Sequence, residues 1–451
     1  MKLTVIAFAC LGLAAAGQAS RLLDPTYLSA GSNPRGVASA DINGDGYADL
    51  AVANFGSGTL IGAACPGSGG SISIFLGSAQ GLKPAPVPVI PVANDAPRGL
   101  VFADLENNGK PDLLATLYCS GSLQVYHNLG NGSFTLMGTY PTGLQPVGVA
   151  AQVVDGGGLV AVADYGSNKV SLFTVKMGIL SPASTLAVGV NPTDVRFYPE
   201  PLDKTPVLFV ADYGSNAVTR LSLSSDGSLA GSVDIPVPGQ PCKLAVGDLN
   251  GDGLPDLAVA RFTDSAVDVF LGQADGSVAL TPVAQTLAGS HPNGLALGHL
   301  GGAAALVTAD RDSDQIEVLH WANQGLSRCA AITVTDASGN TGTYGPVEAV
   351  IADFNADGYG DIASSHMRDG RVAVLMGARP GAPDIISSSH PDPSGWSSAT
   401  TLVASFVPAP DLDGIGGWQA NLDQDPVGAP AADATQFTVP EFTQAHLNAG
   451  D

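Results

Sequence analysis

The chain has 451 residues, 45 % of them hydrophobic, with 57 Gly and 32 Pro but only 18 Lys and Arg. That length holds two or three ordinary domains or one large repeat array, and many turn formers with few charged helix surfaces favour an all-β chain. A formal net charge of −23 excludes the basic surface that nucleic acid or an anionic membrane requires and points instead to hard cations, which take oxygen ligands.

Residues 1–20 have the layout of a signal peptide: Lys2, an apolar run over 3–16, then small residues through Ala19. The run is too short for a permanent membrane span, and no later segment is long enough for one. The expected protein is therefore secreted. Removing the signal removes Cys10 and leaves Cys65, Cys119, Cys242 and Cys329, enough for two disulfides in an exported chain.

From residue 34 a unit repeats. It opens at Pro34, Pro97, Pro146, Pro192, Pro241, Pro292 and Pro346, at intervals of about fifty residues. In the first unit, 36–40 is expected to form an inner strand, 50–54 a second, 71–76 a third and 87–92 an outer fourth. Seven such units predict a seven-bladed β-propeller of four-stranded blades. The segment 27–31 looks like an outer strand that precedes any inner one. It is expected to complete the seventh blade and close the ring, which removes free sheet edges.

Four units carry oxygen-rich loops between the first two strands. They are Asp41, Asn43, Asp45, Tyr47 and Asp49 in blade one; Asp104, Glu106, Asn108, Lys110 and Asp112 in blade two; Asp248, Asn250, Asp252, Leu254 and Asp256 in blade five; and Asp353, Asn355, Asp357, Tyr359 and Asp361 in blade seven. Side-chain oxygens at loop positions 1, 3 and 5, a backbone carbonyl at 7 and an Asp at 9 make a calcium shell, with Gly at 6 for the sharp turn. Position 12 is a strand residue, not the Glu of an EF-hand. About four Ca2+ are expected, and blades three, four and six lack the ligands.

The motif D-x-N-x-D-G-x-x-D on blade spacing resembles the FG-GAP/VCBS repeats of the integrin α-subunit propeller, over about residues 27–379. The resemblance implies that calcium stiffens one face while ligands or partner subunits dock on the opposite one. The three blades without the motif depart from the pattern.

On that opposite face one register reads Phe55, Tyr118, Tyr165, Tyr213, Phe262, Arg311 and Met367. It is either a ring of stacking surfaces for a ligand or packing between blades. The preceding register (Asn54, Asp164, Asp212, Arg261, Asp310, His366) is polar and is expected to line a pocket. Cys65 and Cys119 fall in equivalent loops of adjacent blades and are expected to pair, leaving Cys242 with Cys329 by default. No hydrolase elbow, zinc motif or phosphate loop is present. The expected role is a binding or adhesion module for glycans or cell-surface and extracellular proteins, with an extracellular polysaccharide lyase or hydrolase as the alternative. The domains read as a signal peptide over 1–20, the propeller over 21–379 and an acidic Pro/Ser/Ala-rich tail of low regularity over 380–451.

Overall fold

The computed structural model describes residues 21–22, 24–57, 69–92, 94–198, 206–273, 277–301, 303–322, 324–335 and 344–378, together with the backbone of 402–408 and 418–424. The expected signal peptide, Cys65, the first loop of blade four and most of the tail lie outside the described residues.

All seven anchor prolines open the innermost strand of a four-stranded antiparallel sheet. Blade one runs Pro34–Ala40, Asp49–Asn54, Gly70–Leu76 and Lys83–Val92 from the axis outward. Its outer strand begins four residues before the expected start, because a bulge between Ser73 and Phe75 carries the pairing further along. Blades two to six start at Pro97, Pro146, Pro192, Pro241 and Pro292 with the same strand order. Blade seven is Pro346–Ala352, Asp361–His366 and Arg371–Leu375, and its fourth strand is Thr26–Ser29 from the start of the chain. Ring closure by that segment matches the sequence expectation. Proline suits the first position of a strand, where no ladder hydrogen bond is needed from its nitrogen.

The core lies between blades. The second strand of every blade is buried along its last six residues, as in Asp49–Asn54 and Asp256–Arg261. Each is covered on both faces by neighbouring blades, so its sequence is largely apolar instead of alternating. Near the axis the innermost strands approach closely. A Cβ on Gly36 would collide with the carbonyl oxygen of Arg98, and one on Gly99 with that of Val147. Only glycine fits these two positions.

The chain divides into two compact units, with the propeller ending at Ala378. In the other, Leu402–Pro408 and Trp418–Gln424 pair as an antiparallel hairpin.

Candidate metal loops and axial cavity

The acidic loops all join an innermost strand to its neighbour, closing at the pairs Ala40–Asp49, Ala103–Asp112, Gly247–Asp256 and Ala352–Asp361. Asp41 organises the first loop. Its Oδ1 accepts from the backbone N–H of Gly44 (2.8 Å) and its Oδ2 from that of Gly46 (2.9 Å). Asp248 does the same for Gly251 and Gly253, and Asp353 accepts from Asp357 and Gly358. The glycine at position 6 is required by the backbone and not by space: Gly46 has φ +87°, and a Cβ placed there would meet nothing within 4 Å.

The ninth-position aspartates are buried. Asp49 accepts from Ile42 N–H (2.9 Å) and Gly77 N–H (2.7 Å), so one carboxylate ties the loop's start to the end of the third strand. Asp256 and Asp361 repeat this with Leu249 and Gly272, and with Phe354 and Gly377. Burial pushes Asp49 up to about 6 and Asp361 up to about 7, against the pull of those N–H donors. Asp112 accepts from Asn128 N–H through Oδ1, while its buried Oδ2 has no hydrogen-bond partner.

The donor set fits a hard cation: side-chain oxygens at 1, 3 and 5 beside a buried carboxylate whose charge is poorly solvated. Blade two adds a nitrogen. His127 Nδ1 lies 3.4 Å from both Glu106 Oε2 and Asp112 Oδ1, making an acid–imidazole cluster able to hold a metal ion. The sequence put His127 only at a strand end; its approach to the loop depends on pairing between the second and third strands. Blades three and six have two-residue turns there, at Asp155-Gly156 and between Leu300 and Ala303.

At the other end of the inner strands the aromatic register comes together. The backbone N–H groups of Phe55, Tyr118, Tyr165, Tyr213, Phe262, Arg311 and Met367 each donate to the carbonyl of the residue before the blade's anchor proline, at 3.0–3.2 Å. Six of the seven line a cavity of about 640 Å³ on the axis. Phe55 does not. It is 1 % exposed and packs edge-on against Tyr118 at 5.5 Å, so for this residue packing is the outcome.

The polar register does not line that cavity. All six side chains are buried, and all but His366 bind neighbouring strands or incoming loops; the His366 ring nitrogens have no hydrogen-bond partner among the described residues. Asn54 accepts from Gly31 N–H (2.8 Å), Asp164 from the Ser171 hydroxyl (2.6 Å) and Asp212 from the Thr219 hydroxyl (2.5 Å). Arg261 donates to Pro238 O (2.7 Å) and to Asp268. Asp310 accepts from the Thr308 hydroxyl, and burial beside Glu317 pushes it up to about 8. These groups hold second strands to neighbouring strands and incoming loops, so the expected pocket is corrected.

The default pairing of Cys242 with Cys329 is also overturned. Cys242 is a free thiol on the innermost strand of blade five, donating to Pro292 O at 3.0 Å, whereas Cys329 belongs to the outermost strand of blade six. Burial pushes the Cys242 thiol well above its usual range.

Sequence alone did not point to the residue after each anchor proline, which also lines the cavity: Arg35, Arg98, Val147, Thr193, Cys242, Asn293 and Val347. The repeated Pro-Arg-Gly of blades one and two was the available signal. One position further on, where four blades have glycine, buried Asp194 and partly buried Lys243 and Glu348 form a triad, with Lys243 Nζ 3.4 Å from Asp194 and 2.5 Å from Glu348.

The FG-GAP repeat profile matches residues 33–75 and 243–271, the inner parts of blades one and five. Mouse integrin alpha-IIb is 35 % identical over 91 residues, which are 19 % of this chain and 8 % of that protein. Among solved structures, a protein from Lactobacillus plantarum superposes with a TM-score of 0.51 at 18 % identity, covering 68 % of this chain and 87 % of that one. The BBS1N chain from its complex with ARL6DN gives 0.50 at 14 % identity, covering 79 % and 96 %. These structures share the fold. The chain is thus a seven-bladed all-β propeller of four-stranded blades. It carries FG-GAP repeats and is similar in its repeats to an integrin α chain. Among the described residues no helix is long and apolar enough to cross a membrane.

Proposed function

We propose that this is a secreted, calcium-stabilised propeller that binds a glycan or an extracellular protein in its axial cavity. The observation that carries the reading is the cavity itself. It has small-molecule size and is lined by Tyr118, Tyr165, Tyr213 and Phe262 among a few polar groups. Aromatic surfaces of this kind give large contact area at little conformational cost.

The calcium belongs to the opposite end. Asp41, Asn43, Asp45, the Tyr47 carbonyl and Asp49 would hold one ion, and the matching residues of blades two, five and seven the others. A bound ion supplies positive charge that holds each loop's oxygens together and offsets the buried ninth carboxylate. Its role is structural, and ligand binding needs it only through the integrity of blades seven, one and two.

A glycan array and a pull-down against extracellular proteins test the reading, run with calcium and with chelator. The Tyr165→Ala/Tyr213→Ala double variant should lose ligand while its melting temperature stays within a few degrees of the parent. A collapse in stability would assign those rings to packing instead.

A further inference from the structure

Among the described residues, two arginines in the axial cavity have no counter-charge. Arg35 and Arg98 occupy the same register on adjacent blades one and two, each one residue after its anchor proline. Each guanidinium lies over the aromatic ring of its own blade, Arg35 over Phe55 at 5.6 Å and Arg98 over Tyr118 at 5.4 Å. Among the described residues neither has a carboxylate or hydrogen-bond partner, and the Arg35 Nε is buried and unpaired.

The other cations of the cavity are neutralised. Arg311 makes a two-pronged pair with Asp312 (3.0 and 2.8 Å), and Lys243 sits between Asp194 and Glu348. The chain elsewhere has a large excess of acid, so leaving these two guanidiniums unpaired is a local feature and not a shortage of carboxylates. The fold does not need charge at this register. Val147, Thr193, Cys242, Asn293 and Val347 fill it in the other five blades. Burial, together with repulsion from Arg98 and Arg311, pushes Arg35 down to about 9, and burial lowers Arg98 as well. Arginine stays charged in proteins, so an anion placed beside these guanidiniums would offset that unfavourable setting.

The geometry points to a carboxylate-bearing sugar as the ligand: its carboxylate is held between Arg35 and Arg98, and its ring lies against the tyrosines. This deepens the proposal that the axial cavity is the binding site and rests on it. The planar, multi-donor guanidinium matches a carboxylate. Thr193, Asn33 and Asn293 on the cavity wall offer hydroxyl and amide partners suited to sugar hydroxyls. A net charge of −23 repels polyanions, so the favoured ligand has one acidic residue in an otherwise neutral glycan.

The test compares methyl glucuronide with methyl glucoside, which differ at one carbon, and adds blocked glutamate as a carboxylate without a sugar ring. Calorimetry on the full chain with calcium should show the glucuronide binding about 10- to 100-fold tighter than the glucoside. Arg35→Gln/Arg98→Gln should erase that difference while remaining folded, and Arg98→Lys should keep part of it. The glucuronide should raise the melting temperature of the parent and not of the double Gln variant. Equal binding of glucuronide and glucoside would overturn this inference and leave the binding-module reading standing. Blocked glutamate binding as tightly as the glucuronide, with the same arginine dependence, would overturn the sugar and indicate an acidic peptide. If neither sugar binds the folded chain, the inference fails, and the glycan array judges the broader reading separately.

Discussion

The two ends of the inner strands are built from the same repeat and behave in opposite ways. At one end, acidic side chains crowd into hairpin loops and spend their oxygens on backbone N–H groups within the same blade. At the other, arginines and aromatic rings face a shared space on the axis, and two of the cations have no partner among the described residues. The first arrangement uses polar groups to hold a blade together. The second leaves polar groups available to something outside the chain, which is why the ligand is placed there and the metal at the opposite end.

Removing a ninth-position carboxylate should have the largest effect. Asp361→Ala leaves the N–H groups of Phe354 and Gly377 without their acceptor. Two buried donors lose their acceptor, at a cost of about 3–5 kcal/mol by denaturant unfolding. If the variant unfolds like the parent, the loop end is not a structural tie.

Chelation should come next. Amide exchange in blades seven, one, two and five should speed up in chelator, while blades three, four and six stay protected. Uniform loosening around the ring would erase the distinction between blades with acidic loops and blades without them. The sequence had already marked this division, because metal loops rely on residue type at fixed spacing within nine positions and four blades repeat it. Ring closure by Thr26–Ser29 was legible for the same reason: an outer strand without an inner partner stands out in a repeat.

Other features were not local in the chain. The polar register was misjudged because its partners come from elsewhere in the chain, both side chains such as Ser171 for Asp164 and backbone of incoming loops such as Gly31 N–H for Asn54. The free thiol of Cys242 followed from its place on an innermost strand, which counting cysteines does not reveal. Arg35 and Arg98 are conspicuous only once the ring brings blades one and two together and, among the described residues, sets no acid opposite them.

A smaller effect concerns pH. Asp310 has a folded value of about 8, raised above the ordinary carboxylate range mainly by burial and then by Glu317, and offset in part by Arg328. A raised acid binds its proton more tightly when folded. Its stabilising contribution is full below about pH 4 and is lost as the pH rises through about 8. Asp310→Asn should therefore flatten the fall in stability between those limits, measured by urea unfolding across pH. An unchanged slope would show that the group is already ionised in the fold.

The smallest effect belongs to Asp312, which Arg311, Arg368 and His291 surround at the rim of the cavity. Its carboxyl is held down at about 2, chiefly by Arg311. That contribution is present above about pH 4 and disappears as the pH falls toward 2. The pairs are partly exposed, so Asp312→Ala should cost under about 1 kcal/mol at neutral pH, read from urea unfolding.

The contrast between the two ends is tested most directly by counting metal. Equilibrium dialysis against calcium, with elemental analysis of the retained protein, should find about four ions per parent chain. The Asp41→Ala/Asp248→Ala/Asp353→Ala variant should retain about one, in blade two. A parent chain that retains no calcium, or a variant that retains as much as the parent, would contradict the assignment of these loops.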